Sequence, residues 1–176
     1  MNRHTQRDGD AQTAGRRKTG DQRRIRILVA DDNDFMRHCV RLILTRDGCE
    51  VVATAADGEE LVACATLHPH DLIVTDIHMP RMNGLQATRE ILRRHAGTRV
   101  ILLTSDDDYE TARIGFEMGA MGYVVKDGMT TDLRDAVEAV LAGKVFLSGC
   151  VVRYAYAPGH ATPAERAATT VDFTAL

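Results

Sequence analysis

No run of 18 or more uninterrupted apolar residues occurs in the 176-residue chain, so a membrane-spanning helix is not expected. The opening Met1-Asn2-Arg3-His4-Thr5-Gln6 is polar and lacks the apolar stretch of a secretory leader. A cytoplasmic location is the expectation that follows. The four cysteines, at positions 39, 49, 64 and 150, include no C-x-x-C pair. Three of them fall inside apolar periodic stretches, so the set reads as free, buried thiols of a reducing compartment. The seven histidines show no metal-ligand spacing beyond His68-Pro69-His70, and that pair flanks a proline in an expected loop.

Apolar residues make up 44% of the chain, and its length suits one compact domain with tails. Charge is unevenly spread. Residues 1–26 hold eight Lys/Arg against three Asp/Glu, a net of +5, whereas the remainder holds 14 against 22, a net of −8. Large apolar residues are nearly absent before Ile25, so residues 1–24 are expected to form a disordered basic extension. Such a tail could touch nucleic acid or a membrane surface, but a merely solvated tail is the preferred reading.

From residue 25 onward, short apolar runs alternate with segments of helical period. Ile25-Arg26-Ile27-Leu28-Val29-Ala30 reads as a first strand, and Phe35, Cys39, Leu42 and Ile43 place a helix over 34–46, ended by Asp47-Gly48. Val51-Val52-Ala53-Thr54 reads as a second strand, followed by a helix that Asp57-Gly58 opens and that carries Leu61, Cys64 and Ala65. Leu72-Ile73-Val74-Thr75 is a third strand, with a Met-Pro loop and a helix bearing Leu85, Ile91 and Leu92 after it. Val100-Ile101-Leu102-Leu103 and Tyr123-Val124-Val125 complete the strands, separated by a helix with Ile114 and Met118. The last helix has the cleanest pattern, Leu133, Ala136, Val137, Val140 and Leu141. Repeated βα units predict an α/β fold, a doubly wound five-stranded parallel sheet with helices on both faces. Strands without polar alternation agree, because such strands are buried on both sides.

The polar residues at the strand ends carry the functional information. Ligands of open parallel sheets bind beyond the carboxyl ends of the strands. There the sequence places Asp31-Asp32, Asp76, Thr104-Ser105 and Lys126 after the first, third, fourth and fifth strands. Three carboxylates at one rim repel unless a hard divalent cation joins them, and an all-oxygen donor set selects Mg²⁺, with Mn²⁺ as the other candidate. Mg²⁺ commonly bridges to phosphate, so Asp76 is suited to attack phosphorus. Lys126 would then neutralise phosphoryl oxygens and Thr104 would donate a hydroxyl to one of them. Taken singly, Asp-Asp after a strand is more often a helix cap. Here Asn33 or Asp34 can serve as the cap, which leaves the pair free.

These segments resemble a response-regulator receiver domain of the CheY-like superfamily over residues 25–148. The likeness is carried by Ile27-Leu28-Val29-Ala30-Asp31-Asp32-Asn33, by Asp71 through Gly84 with its Thr75-Asp76-Ile77-His78-Met79-Pro80, by Val100 through Ser105, and by Gly119 through Asp127. The resemblance implies the flavodoxin-like strand order 2-1-3-4-5 and a phosphorylated Asp76. It also implies Mg²⁺ on Asp31, Asp32, Asp76 and the His78 backbone carbonyl, a switch pair of Thr104 and Tyr123, and Lys126 as the phosphate-binding lysine. Lys126-Asp127 stands where the family usually has Lys-Pro, and with the preceding Ala-x-Gly-Tyr it is similar to the NarL/LuxR branch. The implied donors are a sensor histidine kinase or a small molecule such as acetyl phosphate. The implied chemistry is self-phosphorylation rather than conventional turnover, and the implied readout is a changed surface on the fourth helix, fifth strand and fifth helix, met by a protein target or a second receiver. Thr162-Pro163-Ala164-Glu165-Arg166 resembles the start of a helix-turn-helix output domain. Residues 149–176 are nevertheless expected to be a linker and tail too short for one. Direct DNA binding is therefore not expected. A stand-alone receiver is preferred over a NarL/LuxR-type transcription regulator with a truncated output domain. A haloacid-dehalogenase-type phosphatase would need a second acid where His78 stands, and a flavodoxin would need a hydroxyl- and glycine-rich first loop in place of Asp31-Asp32-Asn33-Asp34.

Overall fold

The apolar runs become the strands of one parallel sheet. Residues 23–151 are described in the structure, a computed structural model. Most of the basic extension (1–24) and of the tail (149–176), including Thr162 to Arg166, lies outside the described residues. The elements run β1 (Arg26–Ala30), α1 (Asp34–Arg46), β2 (Glu50–Ala55), α2 (Gly58–Leu67), β3 (Leu72–Thr75), α3 (Gly84–Arg94), β4 (Arg99–Thr104), α4 (Tyr109–Glu117), β5 (Gly122–Val125), a 3₁₀ turn (Lys126–Gly128), α5 (Met129–Leu141) and β6 (Phe146–Leu147). The strand order is β2-β1-β3-β4-β5-β6, with every neighbouring pair parallel. This is the expected doubly wound α/β fold, with one strand more. Phe146–Leu147 pairs with Gly122–Tyr123 at the β5 edge, and two residues are too few to show a period in sequence.

Successive strand residues point to opposite faces, and two cores result. Leu28, Ile73, Leu102 and Tyr123 pack with α2, α3 and α4, while Ile27, Val29, Val74, Leu103 and Val124 pack with α1 and α5. Side-chain caps start four of the helices: Asn33 accepts from the amides of Phe35 and Met36, Asp57 from Glu60, Asp108 from Thr111, and Asn83 forms a reciprocal capping box with Gln86. The cap of α1 is therefore Asn33, not the Asp-Asp pair.

Three expectations need adjustment. Cys49 is buried, but Cys39 and Cys64 are half-buried and Cys150 is exposed; Cys39 stands one position off the Val40–Leu44 stripe that α1 buries. In α4 the buried positions are Ala112 and Gly115, with Ile114 only half-buried. The packed body also runs to Val151, which is fully buried in the core on the α2–α4 face. None of the helices among the described residues is long and apolar enough to cross a membrane.

Candidate functional site

The order reverses at β1, which has β2 on one side and β3 on the other. The helix after β1 packs on one face and the helix after β3 on the other. Their divergence opens a crevice at the carboxyl ends of these strands. The ladder continues one residue past each strand, with Asp76 N–H donating to the Ala30 carbonyl at 2.8 Å and Asp31 N–H to the Ala55 carbonyl at 3.2 Å. Asp31 and Asp76 are thereby fixed side by side. Gly84 completes the seat, since a Cβ there would lie 1.9 Å from the Asp76 carbonyl oxygen.

Carboxylate oxygens of Asp31, Asp32 and Asp76 lie within 4.8 Å of one another, with Asp31 and Asp76 buried and Asp32 exposed. Among the described residues this is the one acidic or His/Cys group with the spacing of a metal site, and its donors are all hard oxygen. The Lys126 ammonium, delivered by the end of β5, sits 2.8 Å from Oδ2 of both Asp31 and Asp76. The remaining oxygens are also held. Asp31 Oδ1 accepts from Asn33 N–H at 2.9 Å and Asp76 Oδ1 from His78 N–H at 3.3 Å.

Burial is the largest influence on Asp76 and raises its pKa; Lys126 pulls it down, Asp31 pushes it up again, and the net direction is upward. Burial alone would lower the Lys126 pKa, but the hydrogen bonds and charges of Asp31 and Asp76 outweigh it and the net shift is upward. The two upward shifts differ in cause: burial, with a smaller push from Asp31, raises the acid, whereas two carboxylates around one ammonium raise the cation.

The other residues expected at the site lie around this core. Thr104 is fully buried at the end of β4, and its hydroxyl accepts from Asp106 N–H at 3.2 Å. The Tyr123 ring is fully buried and already points inward, with its hydroxyl donating to the Asp106 carbonyl at 2.9 Å. Burial, then the charges of Asp106, Asp108 and Asp107, pushes the phenol pKa up. The His78 imidazole meets the Asp106 carboxylate at 2.5 Å.

Two further residues stand at the same rim, of which the sequence marks Asp57 only as a helix opener and Arg81 not at all. Asp57, fully buried just beyond β2, is paired with the Arg81 guanidinium of the loop after Asp76. Asp57 continues the pattern of acidic strand ends and could have been found that way. Arg81 carries no comparable signal.

The sequence pattern of the response regulator receiver domain matches residues 27–138. The response regulator GacA of Pseudomonas viridiflava is 35% identical over 127 residues, which cover 70% of this chain and 58% of that protein. The transcriptional regulatory protein DegU of Brevibacillus brevis is 33% identical over 127 residues, 72% of this chain and 54% of that protein. The chain thus spans little more than half the length of these curated relatives. A crystal structure of a LuxR-family two-component response regulator from Aurantimonas sp. SI85-9A1 shares 34% identity at a TM-score of 0.70, covering 74% of this chain and 94% of that one. With the reversed strand order at β1 and the acidic cluster in its crevice, these matches establish that the chain belongs to the response regulator receiver domain family of two-component systems.

Proposed function

We propose that Asp76 is the phospho-acceptor of this receiver and that its reaction depends on Mg²⁺. The observation that carries the reading is the meeting of Asp31, Asp32 and Asp76 with Lys126 in one crevice. A carboxylate oxygen of Asp76 attacks phosphorus, the P–N bond of a donor phosphohistidine breaks, and the imidazole leaves with the electron pair and takes up a proton. The product is an aspartyl phosphate. Asp31, Asp32 and Asp76, with the His78 backbone carbonyl, would hold the ion, which when bound would supply positive charge to the phosphoryl oxygens. Mn²⁺ satisfies the same donors.

Lys126 exchanges one carboxylate oxygen for a phosphoryl oxygen and keeps the new charge compensated. The Thr104 hydroxyl, now an acceptor for Asp106 N–H, turns to donate to the phosphoryl group. Tyr123 is the second half of the switch. Because its ring is already inside, phosphorylation acts by favouring this inward arrangement over an outward one, a shift of population. The readout surface is α4, β5 and α5, met by a downstream protein or by a second receiver. A sensor histidine kinase supplies the phosphoryl group, and the location is cytoplasmic. The domain division is 1–24 as a basic extension, 25–148 as the receiver and 149–176 as a tail whose first residues, through the buried Val151, pack on the receiver.

Incubation with acetyl phosphate and Mg²⁺ should add one phosphoryl mass to the intact protein, and Asp76→Ala should add none. Chelation of the divalent ion should abolish labelling of the unaltered chain. Stoichiometric labelling of Asp76→Ala would move the acceptor elsewhere and end this assignment.

A further inference from the structure

The loop that follows Asp76 holds a conformation its own sequence does not favour. Arg81 has φ +62°, the one positive-φ non-glycine among the described residues, and Met82 N–H donates across it to the Pro80 carbonyl at 2.7 Å. A three-residue turn closed this way around a positive φ is the rare, strained hand of the γ-turn. Such strain persists where the surroundings over-determine it.

Two restraints meet at this turn. The Arg81 guanidinium pairs with the fully buried Asp57 carboxylate and lies 3.6 Å from Glu60 and 3.8 Å from Glu59. One residue on, the Met82 carbonyl accepts from Gly58 N–H at 2.9 Å, an approach that a Cβ on Gly58 would obstruct at 2.5 Å. Asp57 divides its oxygens: Oδ1 caps α2 through Glu60 N–H at 2.9 Å, and Oδ2 faces the arginine. A buried carboxylate needs such a counter-charge.

On its other side the turn joins the residues that face the crevice. Ile77 and Met79 are buried, the Ile77 carbonyl accepts from Gly84 N–H at 2.8 Å, and His78 N–H reaches Asp76 Oδ1 at 3.3 Å. The backbone from 77 to 80 is therefore pinned at one end by Gly84 and at the other by the Arg81 turn. Where the His78 peptide stands against the carboxylates is set by those two anchors.

We propose that Arg81, acting through Asp57, is a positioning residue for the ion site at Asp76. The pair holds the strained turn, and the turn holds the His78 peptide beside the acidic cluster. This rests on the reading of Asp76 as a Mg²⁺-assisted phospho-acceptor.

Calorimetric titration of the full chain with MgCl₂, alongside acetyl phosphate labelling, tests it. Arg81→Gly removes the guanidinium and, although it suits a positive φ, leaves the buried Asp57 carboxylate without its counter-charge, so the Mg²⁺-free protein should stay folded at about 25 °C but melt below the unaltered chain. Measured on the folded protein, its Mg²⁺ affinity should also fall about tenfold, as when an outer-shell partner is lost. Its labelling rate should fall at limiting Mg²⁺ and recover at saturation. Arg81→Lys, which retains a cation for Asp57, should regain most of the affinity. Arg81→Gly combined with Asp57→Asn should bind no more weakly than Arg81→Gly alone. Unchanged affinity in Arg81→Gly overturns the proposal, as does a loss that Arg81→Lys fails to reverse. If the unaltered chain neither binds Mg²⁺ nor becomes labelled, the phospho-acceptor reading fails instead.

Discussion

Asp71 stands where the chain enters β3, at the sheet end opposite the acidic crevice. Its carboxylate accepts from Arg26 N–H at 2.9 Å and from the Arg23 guanidinium at 2.9 Å, with Arg26 Nε at 3.6 Å. Burial alone would raise its pKa, but the Arg26 hydrogen bonds and the two arginine charges prevail and the net shift is downward. A carboxyl whose folded pKa is depressed adds stability above its unfolded pKa and loses it as pH falls through the folded value. Asp71→Asn should therefore cost about 1 kcal/mol at neutral pH. That deficit should shrink as acid protonates Asp71, and urea titrations at several pH values would reveal it. A deficit constant down to pH 2 would contradict the ionic cause. Neither arginine was identifiable as a partner in sequence, because 48 and 45 residues separate them from Asp71. A separation of 24 residues likewise hid the pairing of Arg81 with Asp57, whereas Asp31, Asp32, Asp76 and Lys126 were legible because they directly follow strands.

At the scale of elements, β6 binds the exit of the packed body to the strand that presents Lys126. Ser148 N–H donates to the Tyr123 carbonyl at 2.9 Å. Its hydroxyl, fully buried, donates to Asp132 at 2.6 Å and accepts from Val125 N–H at 3.1 Å. Ser148→Ala would leave Val125 N–H and one Asp132 oxygen without this partner. The expected cost is about 2 kcal/mol, read as a lower urea midpoint with an unchanged slope. A loss below about 0.5 kcal/mol would mean that water replaces the hydroxyl. Long strands and helices were legible from their periods, and their ends from caps such as Asn33 and Asp57. The buried face of α4 was not. A Cβ on Gly115 would meet Leu102 Cδ1 at 2.4 Å, so the residue against the sheet there is the one with no side chain to register in a hydrophobic pattern.

For the whole molecule, the decisive quantity is the charge gathered where the sheet reverses direction. Three carboxylates and one ammonium leave a net of −2 there, so folding works against repulsion that Lys126 relieves only in part. The topology was readable in outline because buried parallel strands and acidic strand ends are local features, whereas the Lys126 geometry depends on three strands meeting. A divalent ion bound only by the folded state adds RT ln(1 + [L]/Kd), about 1.4 kcal/mol at tenfold its dissociation constant. MgCl₂ should accordingly raise the melting temperature by roughly 3–6 °C, while NaCl of equal ionic strength should not. Asp32→Asn provides the control, since Asp32 is exposed and its loss leaves the core intact. That variant should melt at or slightly above the unaltered chain without Mg²⁺, because one repelling charge is gone, and should lose most of the Mg²⁺ response. An equal Mg²⁺ shift in both proteins would place the ion outside this crevice and break the link between the acidic cluster and the stability of the fold.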